Sequence, residues 1–235
     1  MKPRTIAGGG IALAGAGLMA LGALTWGPNW QRWNAIYAYD NFLFADVHDK
    51  TQAAQVFDAL FAASKTTKKD PILKARLADI SLIIADQTED DRAYEAQRAL
   101  AYTNIVSSLK AAPPQPAVWY NLALAESSDG QIEPGVISAF DMSIKTGERF
   151  GQLVFPRLTF CAVHWAALPE AQQQQCIGQV RLINGPLNPY WQGYYFSLDA
   201  VVQSKMNGLL AQAHVDPPAP PVQRRQRSAS ENKES

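Results

Sequence analysis

The sequence predicts an all-α protein, with an apolar N-terminal span, a series of antiparallel helical hairpins and a polar tail. Three observations carry that reading. Apolar residues recur at three- and four-residue spacing along most of the chain after residue 50, which is the helical period. No stretch alternates with a period of two for long enough to compete as a sheet. Breaks such as TTKKDP, DQTEDD and PPQP separate runs of about three turns or more, as expected of helices joined by short turns.

The first element is the run from Thr5 to Trp26, which carries no charge and follows Lys2 and Arg4. A run of that length suffices to cross the roughly 30 Å hydrocarbon core of a bilayer as one helix. It is mostly glycine and alanine, with Ile6, Ile11, Leu13, Leu18, Met19, Leu21 and Leu24 as its larger apolar residues. The positive-inside rule keeps Lys2 and Arg4 in the cytoplasm and sends the rest of the chain across. The expected topology is therefore single-pass, with the N-terminus cytoplasmic, the C-terminal domain exported and the bilayer contacted through residues 5–26. Trp26, Trp30 and Trp33 fit an aromatic belt at the outer interface. Gly8, Ala12, Ala16 and Ala20 place small side chains on one face, which would let two such helices approach and form a homodimer. The rival reading is a signal peptide cleaved after Gly22, since Ala20 and Gly22 have the small-x-small form, with the domain then secreted.

Residues 1–28 are thus the anchor and 29–50 a membrane-proximal helix or linker, with a helix over Asn29–Phe44. Residues 51–213 form the helical domain. Thr51–Ser64 carries Ala53, Val56, Phe57, Leu60 and Phe61 at helical spacing, with Thr51 as a cap. Pro71–Ala85 follows with Leu73, Leu77, Ile80, Leu82, Ile83 and Ile84, and Arg92–Ala111 ends at PPQP. Two helices of about three turns lie in PAVWYNLALAESSDG and IEPGVISAFDMSIKTGERFG. Phe155–Ala167 and Pro169–Ile183 form a pair hinged at Pro169, and one last helix runs from Pro189 to Ala213. Residues 214–235 contain DPPAPPVQRRQRSASENKES, which has almost nothing to bury and reads as a disordered, proline-rich tail.

Twenty-one basic residues balance twenty-one acidic ones. Without the N-terminal pair and the tail, 15 basic face 18 acidic residues, so the domain lacks the electrostatic footprint of a nucleic-acid binder. Cys161 and Cys176 are the two cysteines. They flank Pro169 at similar distance, so a hairpin turning there would set them two turns out on facing helices. A disulfide between them and two separate buried thiols both remain open, because a bridge needs Cα atoms within roughly 7 Å.

No catalytic constellation emerges. His48, His164 and His214 are scattered, and Cys161 with His164 is the one pair at ligand spacing, so neither a metal site nor a cofactor is expected. No nucleophile elbow or phosphate-cradling loop occurs. Glu126-Ser127 at a helix end superficially matches the glutamate of lytic transglycosylases, without the glycine-rich continuation of that family. The chain is read as a non-enzyme. The candidate interaction surface is aromatic, namely Trp119 and the cluster Tyr190, Trp191, Tyr194 and Tyr195. Trp191 and Tyr195 share one helical face and Tyr190 and Tyr194 another, one of which must pack inward.

Trp119, Leu122 and Ala123, followed by Gly135, Ala139 and Phe140, resemble the two helices of a tetratricopeptide repeat. Glu126, the long SSDGQIEPG loop and Pro134 depart from that pattern, and the likeness covers one and a half repeats. The architecture, with the stretch from Arg157 through Trp165, Leu168-Pro169 and Arg181, is also similar to single-span tetratricopeptide-like proteins of bacterial envelope polysaccharide machinery. These resemblances imply a location in the bacterial inner membrane, single-pass with the C-terminal domain in the periplasm, and an anchored adaptor there that binds other proteins, in polysaccharide synthesis or export. A carbohydrate-binding or carbohydrate-active protein and a small subunit of an integral membrane complex are the alternatives.

Overall fold

The computed structural model describes residue 22 and residues 26–43, 49–127, 132–183 and 187–219. All regular structure among them is helical. Helix α1 covers 26–43, α2 Lys50–Thr66, α3 Pro71–Asp86, α4 Asp91–Ala111, α5 Pro116–Glu126 and α6 Pro134–Thr146. Then come α7 Gly151–His164, a 3₁₀ turn Trp165–Ala167, α8 Glu170–Leu182, α9 Asn188–Ser197 and α10 Ala200–Gln212.

Aspartates start four of these helices. Asp49, Asp70, Asp90 and Asp199 each accept from a backbone N–H of the first turn, satisfying donors that the helix itself leaves unpaired. Asp49, not Thr51, caps α2: its Oδ1 accepts from the Thr51 N–H at 3.1 Å. Pro71, Pro116 and Pro134 open α3, α5 and α6 at the position where a missing N–H costs nothing. The last helix expected over Pro189–Ala213 is two helices. Leu198 is extended, and the Asp199 Oδ1 accepts from the N–H groups of Val201 and Val202 at 2.9 Å, so a new helix starts where the sequence predicts one to continue.

The chain divides into two compact units, one of residues 1–129 and 133–147, the other of 130–132 and 148–235. In the first unit α3 pairs with α4 and α5 with α6, while α2 packs on α3 and α4 on α5. Its main core joins Ala35, Ile36, Tyr39 and Phe42 of α1 to Val56 and Leu60 of α2 and to Leu73, Leu77 and Ile80 of α3. Each of the larger aliphatic side chains contributes about 1.5–3 kcal/mol by leaving water. A second cluster gathers Ala78, Ile105, Leu109 and Val118, with Trp119 and Leu122 packed against it. In the second unit α7 packs on both α8 and α10. Arg157 of α7 is completely buried there; its guanidinium donates to the Glu148 carbonyl at 3.4 Å and to Gln179 Oε1 at 3.5 Å.

The helix pairs of the first unit, α3 with α4 and α5 with α6, are consistent with an α-solenoid of hairpins. The membrane-spanning part of the expectation is contradicted: among the described residues, no helix is long and apolar enough to cross a membrane. Most of the expected span, residues 5–21 and 23–25, lies outside the described residues, as do the Gly8, Ala12, Ala16 and Ala20 of the expected homodimer face. Helix α1 cannot serve in its place, because it carries Arg32 and Asp40 and buries its apolar residues in the protein core. The charge-free run is long, but glycine and alanine give it little of the apolar area that drives transfer out of water. The single-pass inner-membrane topology, the bilayer contact through 5–26 and the anchored-adaptor and membrane-subunit readings that rest on it fall together.

Candidate interaction surfaces

Helix α1 has two aromatic faces. Tyr39 and Phe42 are buried with Ala35 and Ile36, while Trp26, Trp30, Trp33 and Tyr37 are 70, 57, 61 and 67% exposed. The steps of four, three and four residues put these last four on one stripe along the helix. The rings of Trp26 and Trp30 stack with centroids 6.5 Å apart. The Arg32 guanidinium sits 5.0 Å over Trp33 and is tied by an ion pair to Asp70, the cap of α3. The three tryptophans assigned to a membrane interface therefore belong to an open face of a helix whose other side builds the core. No helix among the described residues supports a span, so nothing in the structure places these tryptophans at a membrane interface.

Behind that helix runs a polar ladder across α1, α3 and α5. The Tyr39 hydroxyl donates to Asp79 Oδ2, and the Asn121 amide donates to Asp79 Oδ1 at 2.9 Å. The Arg76 guanidinium lies 4.5 Å over the Tyr39 ring and pairs with Asp40 at 3.1 Å. Burial first, and the Asp79 charge second, hold the Tyr39 phenol far above its ordinary range. These groups fix three helices against one another; they present no reactive atom at a cleft.

Trp119 is half-buried, and its indole N–H donates to the Pro113 carbonyl at 2.8 Å, closing the turn between α4 and α5. Arg98 does similar work at the other end of α5, donating to the carbonyls of Ala125 at 2.6 Å and Ser127 at 2.9 Å. Glu126 lies beside Gly135, where a Cβ would come within 2.8 Å of its Oε2. Burial and then the nearby Glu133 raise the Glu126 carboxyl above the usual range.

In the second unit the aromatic cluster of α9 divides by face. Trp191 and Tyr195 are buried, and Tyr195 donates to Asn207 Oδ1 at 2.7 Å. Tyr194 is half-buried, stacked on Phe155 at 5.0 Å, with its hydroxyl 2.7 Å from that of Thr159. Tyr190 alone of the four is open, at 69% exposure. Trp119 belongs to the other unit. Cys161 and Cys176 form a disulfide across the α7–α8 hairpin, with Cα atoms 5.9 Å apart. Burial, and then the Lys205 charge, push the His164 imidazole below its ordinary value, and its ring lies 4.6 Å from Phe160. Among the described residues no group of three His, Cys, Asp or Glu side chains could hold a metal ion.

Comparison with protein-family models, curated proteins and solved structures finds no match to the chain. The tetratricopeptide likeness therefore stops at the pairing of helices, and family membership is contradicted. The likeness to envelope polysaccharide proteins is contradicted with it. Arg157, one of the residues behind that likeness, is enclosed by the fold.

Proposed function

We propose that this protein is a non-catalytic helical scaffold that holds a partner protein on the aromatic stripe of α1. The observation that carries this is the contrast between the two faces of one helix, with Trp26, Trp30, Trp33 and Tyr37 open to solvent while Ala35, Ile36, Tyr39 and Phe42 are packed away. Large exposed patches of apolar side chains mark interaction sites on protein surfaces. Tryptophan and tyrosine are also the residues that dominate binding energy when such patches are covered. The stripe runs about 16 Å along the helix, enough for three turns of a partner helix to lie against it.

The test uses the full-length chain with a photo-crosslinking residue at Tyr37, beside a Trp30→Ala/Trp33→Ala variant carrying the same crosslinker. Both changes are on the solvent face, so circular dichroism and thermal midpoint should be kept. The expected result is a crosslinked protein partner that the variant loses by about thirtyfold or more, the cost of one hot-spot side chain of about 2 kcal/mol. Equal recovery by both chains, or capture of the stripe by lipid vesicles with no protein crosslink, would overturn the proposal.

A further inference from the structure

The chain's proline-rich segment does not simply leave the domain after α10. His214 adopts a left-handed conformation with φ 55, and the Val215 N–H returns to the Leu210 carbonyl at 3.0 Å. This is the hydrogen-bond pattern of a helix C-cap that reverses the chain. The reversal carries Val215 to Ala219 back onto the first turns of α9. There the Gln192 side-chain amide donates to the Ala219 carbonyl at 2.7 Å. Val215 and Pro218 are half-buried, while Asp216, Pro217 and Ala219 are exposed.

The spacing of three between Val215 and Pro218 is one turn of a polyproline II helix. Such a helix has three residues per turn, so positions 215 and 218 share a face, and its backbone carbonyls are free because it makes no internal hydrogen bonds. Pro217 and Pro218 fix their own φ near −65°, and each proline also biases the residue before it toward extended geometry. The opposing surface has the parts that recognise such a segment, namely an apolar floor in Trp191 and Pro189 and side-chain amides at Asn188 and Gln192, one helical turn apart. The segment does not fill this surface. A cavity of about 320 Å³ remains between α9 and the returning chain.

We infer that the N-terminal half of α9 is a docking groove for proline-rich segments in the polyproline II conformation, closed in this chain by its own residues 215–219. The strap is an internal competitor. A proline-rich segment of another protein binds by displacing it, so the groove is available in proportion to how often the strap lifts. A short tether holds its ligand at an effective concentration in the millimolar range. If the groove binds such a segment with a dissociation constant of about 0.1 mM, the strap weakens an outside ligand by about tenfold.

The test measures fluorescence polarisation of a labelled peptide with the sequence VDPPAPPVQ, titrated with full-length protein. A Pro217→Ser/Pro218→Ser chain should bind this peptide about tenfold more tightly than the wild type, because its own strap is weakened while α9 is untouched. Adding Gln192→Ala to that chain should cost about three- to tenfold, the worth of one hydrogen bond. A control peptide with serine for every proline should not bind. Equal affinity of the wild-type and strap-weakened chains, no binding of the peptide by the latter at about 1 mM protein, which matches the tether's own effective concentration, or equal binding of the serine peptide overturns the inference. Gln192 is exposed, so its replacement leaves the fold intact, and circular dichroism of each variant checks this.

Discussion

Asp79 serves two partners on two other helices, with one carboxylate oxygen accepting the Tyr39 hydroxyl and the other the Asn121 amide at 2.9 Å. Replacing Asp79 with alanine strands both donors at once, and Tyr39 is almost wholly buried. An unsatisfied buried polar group costs about 1–3 kcal/mol, so Asp79→Ala should lower stability by about 2–4 kcal/mol in urea unfolding, more than Tyr39→Phe or Asn121→Ala alone. A cost below that of either partner's loss would mean that water replaces the carboxylate.

The same pair sets a pH limit. The Tyr39 phenol is held above its ordinary value of 10.0, chiefly by burial, and Arg76 only partly offsets this. A group with a raised folded-state value contributes stability that is whole below its unfolded value and is lost as pH rises toward the folded one. Wild type should therefore lose stability above pH 10 faster than Tyr39→Phe, whose ring cannot ionise. Parallel alkaline unfolding curves for the two chains would assign the loss to other groups.

Glu126 gives the corresponding test near neutrality. Its carboxyl is raised above 4.5 by burial and by Glu133, so the stability it contributes is whole below that pH and is lost as the group ionises above it. Glu126→Gln should raise the thermal midpoint at pH 7 and leave it unchanged well below pH 4.5. A midpoint lowered at pH 7 would show that the charged carboxylate makes a favourable contact.

Most helices are legible in the sequence because apolar period and aspartate or proline punctuation agree at their ends. The break at Leu198-Asp199 is signalled too, by an aspartate ahead of an apolar run, but the aromatic periodicity on either side reads straight through it. The stripe of Trp26, Trp30, Trp33 and Tyr37 is plain in its spacing. Its setting is not, since an adjacent charge-free run draws α1 toward a membrane surface, whereas Ala35, Ile36, Tyr39 and Phe42 pack it into the protein core. The Tyr39–Asp79–Asn121 ladder has no local signal, because its members stand 40 and 42 positions apart and meet only when three helices do. The strap is hidden for another reason: composition alone marks 214–235 as tail, and nothing in composition reports a left-handed residue at its root.

The disulfide between Cys161 and Cys176 closes a loop with a sequence separation of 15. Constraining the unfolded chain over a loop of that size is worth about 3 kcal/mol. Reduction, or Cys161→Ala/Cys176→Ala, should lower the stability of the second unit by up to that amount and speed hydrogen exchange in α7 and α8. The first unit contains neither cysteine, so exchange in α3 and α4 should be unchanged. Loss of protection spread evenly over both units would mean that the two unfold as one.

His214 is the only non-glycine residue with positive φ among the described residues, and it sits where a helix C-cap favours glycine. A side chain in the left-handed region costs about 1–2 kcal/mol, part of which glycine returns as entropy lost on folding. His214→Gly should therefore stabilise the protein by about 0.5–1 kcal/mol, read as a higher urea midpoint at unchanged slope. It should leave the strap in place, because the cap hydrogen bonds are backbone to backbone. Destabilisation by His214→Gly would mean that the imidazole itself makes a contact worth more than the strain it imposes.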